Sequence, residues 1–143
     1  MSKIIQITAF SPEIHRFVCR MMQQLSNREG PSVKEFRNML DDDNTLLFVI
    51  HDDEETPAGM ASAGFYRTPS GCKVWIEDVV VDETYRGRGY GKQIIQYILD
   101  YFSDTDADSI LLTSNPSRIA ANQLYLALGF EKYETNVYRI RQR

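Results

Sequence analysis

The stretch YRGRGYGK at residues 85–92 constrains the fold of this chain more than any other, because it places three glycines among three cationic side chains. A valine-rich run at 74–81 precedes it, and apolar side chains at helical spacing follow over 91–102. Glycines between a strand and a helix let backbone amides turn inward, and the helix start adds free N–H groups and a positive dipole end. This pattern predicts a cradle for a pyrophosphate group. A tight turn with solvated arginines is an equally good interpretation of the loop alone.

The spacing excludes two other glycine loops. A dinucleotide-binding loop requires G-x-G-x-x-G, whereas Gly87, Gly89 and Gly91 alternate with single residues. The phosphate loop of nucleoside triphosphatases requires a glycine five positions before its Gly-Lys pair and a Ser or Thr after it, but Arg86 and Gln93 stand there. The formal net charge of −4 argues against a non-specific nucleic-acid surface. We therefore expect no nucleic-acid partner and local donors for any bound anion.

The remaining sequence predicts a mixed α/β architecture in one domain, residues 1–143. Strands are predicted at 3–10, 46–50, 58–67, 74–81 and 110–113, and helices at 12–25, 32–42, 91–102 and 116–128. Ser11 before Pro12 and Ser32 before Glu35 are predicted N-terminal caps, and Gly129 is a predicted C-terminal cap. The segment after Gly129 predicts a hairpin or final strand pair, which makes the order β-α-α-β-β-β-α-β-α-β(-β).

Composition indicates a globular protein of the cytoplasm. Hydrophobic residues make up 43% and charged residues 25% of the chain. We find no apolar run of membrane-spanning length and no signal-peptide pattern at the N-terminus, so we expect no membrane partner. The two cysteines, Cys19 and Cys72, lack a paired spacing, and neither His15 nor the hairpin at 51–55 shows metal-ligand spacing. We therefore expect neither a disulfide nor a metal.

Two motifs together resemble those of a known enzyme family. Residues 76–99, IEDVVVDETYRGRGYGKQIIQYIL, resemble the acyl-CoA-binding motif of the GNAT superfamily of N-acetyltransferases, Gln/Arg-x-x-Gly-x-Gly/Ala, with Arg86, Gly89 and Gly91 on its fixed positions. Residues 120–132, AANQLYLALGFEK, resemble the second motif of that family. The resemblance covers nearly the whole chain. It implies a single GNAT-like domain with a central, mostly antiparallel mixed sheet flanked by helices. It also implies acetyl transfer from acetyl-CoA to a primary amine by direct attack in a ternary complex.

The resemblance further implies where acetyl-CoA binds. The loop is expected to contact the pyrophosphate through Arg86, Gly87, Arg88, Gly89, Tyr90, Gly91 and Lys92. Backbone amides at Val79, Val80 and Val81 are expected to face the thioester and pantetheine, where this strand splays from its neighbour. Many family members place a cofactor-binding Asn seven residues before the motif tyrosine, and this chain has Arg118 at that position. Asn115 and Arg118 are alternatives for that role, and Asn122 is a further candidate.

Acetyl transfer to an amine requires a base, because an alkylammonium has no lone pair. With a pKa of ~10.4, fewer than about one amine in a thousand is unprotonated at neutral pH. Glu77, in the strand before the loop, is the candidate base, and the family places a glutamate on this strand. In a regular strand Glu77 and Asp78 point to opposite faces, so one of them faces the acceptor. The alternative is that both carboxylates form structural ion pairs.

The departing thiolate requires a proton. A thiol pKa of ~8.5 lies below the ~10 of a phenol, so a tyrosine can donate at modest cost. Tyr125 stands at the tyrosine position of the second motif, and its alternative role is that of a core aromatic on a helix face.

The acceptor is the least constrained feature. In the family, the loop between the first two helices and the segment after the penultimate strand line the acceptor pocket, which here points to Asn27, Arg28 and Glu29 and to residues 133–137. A small-molecule primary amine is the predicted acceptor, and a peptide or protein lysine is the second hypothesis. A non-catalytic acyl-CoA sensor or scaffold would use the same loop. A homodimer through the C-terminal strands is compatible with the sequence, which does not determine it.

Overall fold

Five strands and four helices make up the secondary structure of the computed structural model, which describes residues 1–142. Their bounds are β1 Lys3–Gln6, α1 Pro12–Ser26, α2 Val33–Asp41, β2 Thr45–His51, β3 Pro57–Thr68, β4 Gly71–Val81, α3 Tyr90–Phe102, β5 Ala107–Leu112 and α4 Ile119–Ala127. One 3₁₀ turn, Glu83–Tyr85, lies between β4 and α3. Contacts within the chain divide it into two units: residues 1–113, with the sheet and α1 to α3, and the residues from 114 onward, with α4.

The first unit contains one five-stranded sheet in the order β1-β2-β3-β4-β5. Strands β1 to β4 pair antiparallel with their neighbours, and β5 pairs parallel with β4. The parallel pair arises because α3 carries the chain back along the sheet before β5 begins. The predicted mixed, mostly antiparallel sheet flanked by helices is thereby confirmed.

Helices cover both faces of this sheet. On one face, α1 and α2 pack against the sheet through a buried apolar cluster: Phe17, Val18, Met21, Phe36, Leu47, Val49, Met60 and Val80. On the other face, α3 buries Ile94, Ile95 and Ile98, and the Phe48 ring lies 5.4 Å from the Tyr97 ring. Since successive side chains of a strand point to opposite faces, β2 contributes to both cores, which explains its uninterrupted run LLFVI.

Local signals place the first helix ends where the sequence predicts them. The Ser11 hydroxyl accepts a hydrogen bond from Ile14 N at 3.1 Å, and Pro12 is the first residue of α1. Ser32 and Glu35 form a reciprocal capping box at α2, with Glu35 N to Ser32 Oγ at 3.1 Å and Ser32 N to Glu35 Oε1 at 2.9 Å. Both caps satisfy amides that have no partner inside the helix.

In the second unit, α4 ends in the glycine cap predicted for it. Gly129 has a φ of 102°, Gly129 N donates to Leu126 O at 3.1 Å, and Phe130 N donates to Tyr125 O at 3.0 Å. These two bonds form a Schellman motif, and the Tyr125 and Phe130 rings, 6.0 Å apart, make the apolar contact that accompanies it. The helix begins at Ile119 rather than at 116, because Arg118 N donates to Asn115 O at 3.0 Å and closes a turn there.

The predicted hairpin or strand pair at the C-terminus is wrong for the part of the chain that the structure describes. Residues 130–142 contain no strand, and every side chain from 131 to 142 is exposed. The alternation of Tyr138 and Ile140 with arginines suits a strand, but a strand forms only where a neighbouring backbone pairs with it. The sequence shows the alternation of side chains but does not show whether a neighbouring backbone is present.

Candidate functional site

The loop between β4 and α3 presents an uncapped helix start. Gly87 and Gly89 both have a φ of 82°, a conformation that side chains other than that of glycine rarely adopt. A Cβ built at either position meets no atom within 4 Å, so the space beside both residues is open. Gly89 is the N-cap of α3, and no side chain caps that end within residues 1–142. The first amides of α3 are therefore available to an external anion.

The beginning of this loop is held by α1. The buried Asp82 carboxylate accepts from Thr84 N at 3.2 Å and from Gln24 Nε2 at 3.4 Å. Gln24 Oε1 in turn accepts from Glu83 N at 3.0 Å. These bonds set the direction in which the chain leaves β4, because they orient the 3₁₀ turn that precedes the glycines.

The middle of the loop contacts the hairpin between β2 and β3. The Tyr85 hydroxyl donates to Asp52 Oδ2 at 2.5 Å, and the Tyr85 ring stacks on Tyr90 with centroids 5.8 Å apart. The Arg88 guanidinium lies 5.0 Å from the Tyr85 ring centroid. The hydrogen bond lowers the pKa of Asp52 and raises the pKa of Tyr85, since it favours the charged carboxylate and the neutral phenol. Arg88, predicted to face a phosphate, thus packs on a tyrosine of the loop.

Strand β4 loses one of its two neighbours before it ends. Its pairing with β5 runs from Cys72 to Ile76, which faces Leu112, while its pairing with β3 continues to Val81. Asp82 N donates to Ala58 O on β3, so by alternation the backbone of Val81 points to the opposite edge. There Val81 O accepts from Arg86 Nε at 3.2 Å. Since β5 ends at Leu112, β4 continues without this neighbour directly before the loop, and the splaying of the two strands that the resemblance implies stays a prediction.

A β-bulge interrupts β4 at the start of this free edge. One residue of β3, between Met60 and Ser62, faces two residues of β4, between Val80 and Glu77, and Asp78 has a φ of 51°. Glu77 pairs with Ser62, which pairs with Leu47 of the α1–α2 core, so Glu77 lies on the sheet face that α1 and α2 cover. The regular alternation behind the expectation of opposite faces for Glu77 and Asp78 is broken at this point.

The pKa values of both carboxyl groups at the bulge are raised. Partial burial raises the pKa of Glu77, and the negative charge of Asp78 raises it further. Burial likewise raises the pKa of Asp78, while the positive charge of Arg28 lowers it. Arg28 belongs to the loop between α1 and α2, so the structure brings one residue of the predicted acceptor loop near the candidate base. The neighbouring Asn27 caps α1 instead, with a φ of 57° and its N–H on Gln23 O at 3.0 Å. Glu29 is exposed.

In the second unit, Tyr125 is buried, with 6% of its surface exposed. Burial raises the pKa of its hydroxyl, and the positive charge of Arg118 lowers it. Asn115 builds the turn before α4: its Oδ1 accepts from Ser117 N at 2.9 Å, and its carbonyl accepts from Asn122 Nδ2 at 3.0 Å. These atoms of Asn115 and Asn122 therefore make hydrogen bonds within the turn. The Arg118 side chain, at the N-cap position of α4, is exposed.

The contact of the hairpin at 51–55 with the glycine loop was not predicted from the sequence. Asp52 begins a tight turn, with Oδ1 accepting from Glu54 N at 2.9 Å and from Thr56 N at 2.8 Å. An aspartate followed by polar turn residues is a recognisable signal for such a turn. The contact with Tyr85 has no comparable signal, because the two residues are far apart in sequence.

Residues 1–142 contain neither a metal-ligand cluster nor a helix that could span a membrane. No group of three or more His, Cys, Asp or Glu side chains gathers there as a set of metal ligands. Nor does any helix in that range combine the length and apolar character needed to cross a bilayer.

Comparison with known proteins adds sequence relatives. A family model described as "Acetyltransferase (GNAT) family" matches residues 12–130, more than half of the chain. The uncharacterized N-acetyltransferase YobR of Bacillus subtilis (strain 168) is 24% identical over 142 residues, an alignment that covers 99% of this chain and 49% of YobR. The chain spans about half the length of the curated relatives it matches.

Solved structures share the fold over the whole chain. An aminoglycoside acetyltransferase, HMB0005, from an uncultured soil metagenomic sample superimposes with a TM-score of 0.85 at 16% identity, covering 100% of this chain and 99% of the other. Glucosamine-6-phosphate N-acetyltransferase from Arabidopsis thaliana superimposes with a TM-score of 0.76 at 17% identity, covering 99% of each chain. At such identities the likeness establishes the common fold.

Proposed function

Because this chain belongs to the GNAT family of acetyltransferases, we propose that it is an acetyl-CoA-dependent N-acetyltransferase whose acceptor is a primary amine of a small molecule, attacking directly in a ternary complex. One observation carries the proposal. Strand β4 continues from Glu77 to Val81 beyond its last pair with β5 and leads into the uncapped glycine loop. The glycine loop joins this unpaired stretch of β4 to the free amides of α3, and the two together suit an extended ligand with an anionic centre.

The donors of the loop fit the pyrophosphate of coenzyme A. Gly87 and Gly89 leave open space in front of the backbone, and the start of α3 contributes its positive dipole end. Arg86 and the exposed Lys92 add positive charge on the same loop. When bound, acetyl-CoA supplies the acetyl group as a reactive thioester. Of the candidates around α4, the exposed, cationic Arg118 suits a coenzyme phosphate better than Asn115, whose side-chain oxygen is already bonded to Ser117.

Glu77 holds the role of base in this proposal. Its carboxylate must take a proton from an alkylammonium, and a carboxylate with a raised pKa is a stronger base than an unperturbed one. Asp78 and Arg28 are the charged neighbours that would meet the remainder of the acceptor. Val79 to Val81 lie on the strand that runs between this carboxylate and the loop. The Val81 amide, on the edge away from β3, can orient an acyl group, whereas by the same alternation the Val80 amide points towards β3.

Tyr125 Oη is the proposed proton donor to the departing sulfur. A phenol with the ordinary pKa of ~10 is protonated at neutral pH, as a general acid must be. Burial raises the pKa of this hydroxyl further. A purely structural role is the alternative, since the ring also makes the apolar contact of the helix cap.

Calorimetric titration of the purified protein with acetyl-CoA, followed by free-thiol release with a panel of amines, tests the proposal. Saturable binding together with amine-dependent thiol release is the expected result. Binding without release on any amine would favour a peptide or protein lysine as acceptor, or a non-catalytic acyl-CoA sensor. Absence of binding would overturn the proposal, because the assignment of the glycine loop would then be incorrect.

The same proposal includes a cytoplasmic location and the absence of nucleic-acid and membrane partners. It is compatible with two assembly states, a monomer and a homodimer. Tyr138 and Ile140, 88% and 85% exposed, are apolar side chains that a homodimer would cover, and sedimentation of the purified protein distinguishes the two states.

A further inference from the structure

We propose that Asp52, on the hairpin between β2 and β3, is a positioning residue for the coenzyme loop and acts on it through Tyr85. The inference rests on the proposed function, because it concerns how the loop is prepared for coenzyme A. Asp52 itself does not touch the coenzyme in this proposal. Its role is to hold one aromatic ring, and through that ring the two ends of the glycine segment.

The Asp52 carboxylate is oriented by its own hairpin. Oδ1 accepts from Glu54 N at 2.9 Å and from Thr56 N at 2.8 Å, and Asp52 N donates to Thr56 O at 2.9 Å. The other oxygen, Oδ2, is thereby presented to the Tyr85 hydroxyl at 2.5 Å. Apart from this bond, a cavity of about 400 Å³ lies between the hairpin and the loop. One hydrogen bond to a rigidly held carboxylate therefore bridges the two segments.

Tyr85 controls both ends of the segment that carries the glycines. It directly precedes residues 86–89, and Tyr90, on which its ring stacks at 5.8 Å, directly follows them. The stack therefore closes the segment into a loop. Arg88, inside that loop, packs over the same ring at 5.0 Å. A ring that moved away from Asp52 would release both contacts and let Gly87 and Gly89 sample other conformations, because glycine is the least restricted residue.

A loop held in its binding conformation loses less entropy when a ligand binds. Loss of the anchor should therefore weaken coenzyme binding without touching the groups that move protons. Simple electrostatics predicts the opposite for Asp52, since removal of a negative charge near an anion site should strengthen binding of that anion. The sign of the effect thus separates positioning from charge.

The experiment compares Tyr85→Phe and Asp52→Asn with Glu54→Gln as the matched control. Tyr85→Phe removes only the hydroxyl. Glu54→Gln removes one negative charge from the same hairpin, as Asp52→Asn does, but it keeps the Glu54 backbone N–H that donates a hydrogen bond to Asp52. Titration with coenzyme A should show Kd raised about fivefold to tenfold in the first two variants. In Glu54→Gln we expect Kd unchanged or lowered.

Steady-state kinetics and unfolding complete the test. KM for acetyl-CoA should rise by a similar factor in Tyr85→Phe while kcat stays within about twofold, a split that general loss of folded protein would not produce. The double variant should bind no more weakly than either single variant, because both remove one bond. A wild-type-like Kd in Tyr85→Phe, or tighter binding in Asp52→Asn, overturns the inference while the proposed function stands. Failure of the unmodified protein to bind coenzyme A overturns both.

Discussion

Replacement of Glu77 by glutamine is the substitution that most directly tests the chemistry assigned to the open edge of β4. The amide keeps the shape of the side chain and cannot accept a proton from an ammonium. Glu77 keeps access to solvent although its carboxyl is partly desolvated, and it pairs in register with Ser62, so the strand should tolerate the change. General base catalysis contributes typically 10²–10⁴-fold, and we expect a loss of kcat of that order at neutral pH.

The pH dependence gives the sign of the effect. Without a base, the rate follows the fraction of free amine, which rises about tenfold per pH unit below a pKa of ~10.4, from about one in 2,500 at pH 7 to about one in 25 at pH 9. Activity of Glu77→Gln should therefore recover as pH rises. In the unmodified protein the raised pKa of Glu77 places the acid limb of kcat/KM above the usual range of a glutamate.

Asp78→Asn sharpens the assignment, because the charge of Asp78 raises the pKa of Glu77. Its removal should shift the acid limb of kcat/KM to lower pH and leave substantial activity. Loss of activity in Asp78→Asn with near-normal turnover in Glu77→Gln would exchange the two roles. A pH-independent loss in Glu77→Gln would refute the base assignment and indicate a positional role. Glu83→Gln, the same change in the 3₁₀ turn beyond β4, is the control, and we expect it to leave kcat and its pH dependence unchanged.

Three other substitutions test separate parts of the structure. Tyr125→Phe should lower kcat and leave the Kd for coenzyme A nearly unchanged in calorimetry; a large loss of affinity would instead make Tyr125 a packing or cofactor-binding residue. Gly89→Val should abolish coenzyme binding, because a β-branched side chain at a φ of 82° is strained by about 1–2 kcal/mol and stands beside the free amides; unchanged binding contradicts the pyrophosphate assignment. Phe36→Ala, at a fully buried position in the α1–α2 core, should lower the free energy of unfolding in urea by about 3–5 kcal/mol, and a loss below 1 kcal/mol would show that α2 does not pack there.

The raised pKa values also predict how the bulge affects stability. A carboxyl whose folded-state pKa exceeds its unfolded value binds more protons when folded, so its ionisation destabilises the protein as pH rises through that interval. Glu77→Gln and Asp78→Asn should therefore each raise the melting temperature at neutral pH and have little effect below the unfolded pKa. Calorimetric scans at acidic and neutral pH check this, and stabilisation that is equal at both pH values would contradict it.

Features that depend on neighbours in sequence were predictable. The caps at Ser11, Ser32 and Gly129 each rest on bonds spanning three to five residues, so the residue types alone indicate them. The glycine loop was also predictable from the sequence, because positive φ at Gly87 and Gly89 is a property of the backbone at those residues. The helical periodicity after it located α3 for the same reason.

Features that depend on partners far apart in the chain were not predictable from the sequence. The segment 130–142 has a strand-like alternation, yet among the described residues no backbone pairs with it. The hairpin aspartate Asp52 lies 33 residues from Tyr85, and nothing local to either residue indicates their bond. Arg28 approaches Asp78 only because α1 packs on the sheet face below the bulge.

The sequence by itself determined the order of the elements as far as α4, the helix caps at Ser11, Ser32 and Gly129 and the character of the glycine loop, since each follows from propensity and hydrogen bonds between near neighbours. Tertiary structure alone decided where the pairing of β4 with β5 ends and where the bulge at Asp78 falls. Strand register and separation arise from packing between residues far apart in the chain, so no short pattern encodes them. The open edge that the proposed chemistry requires is therefore a product of the folded sheet.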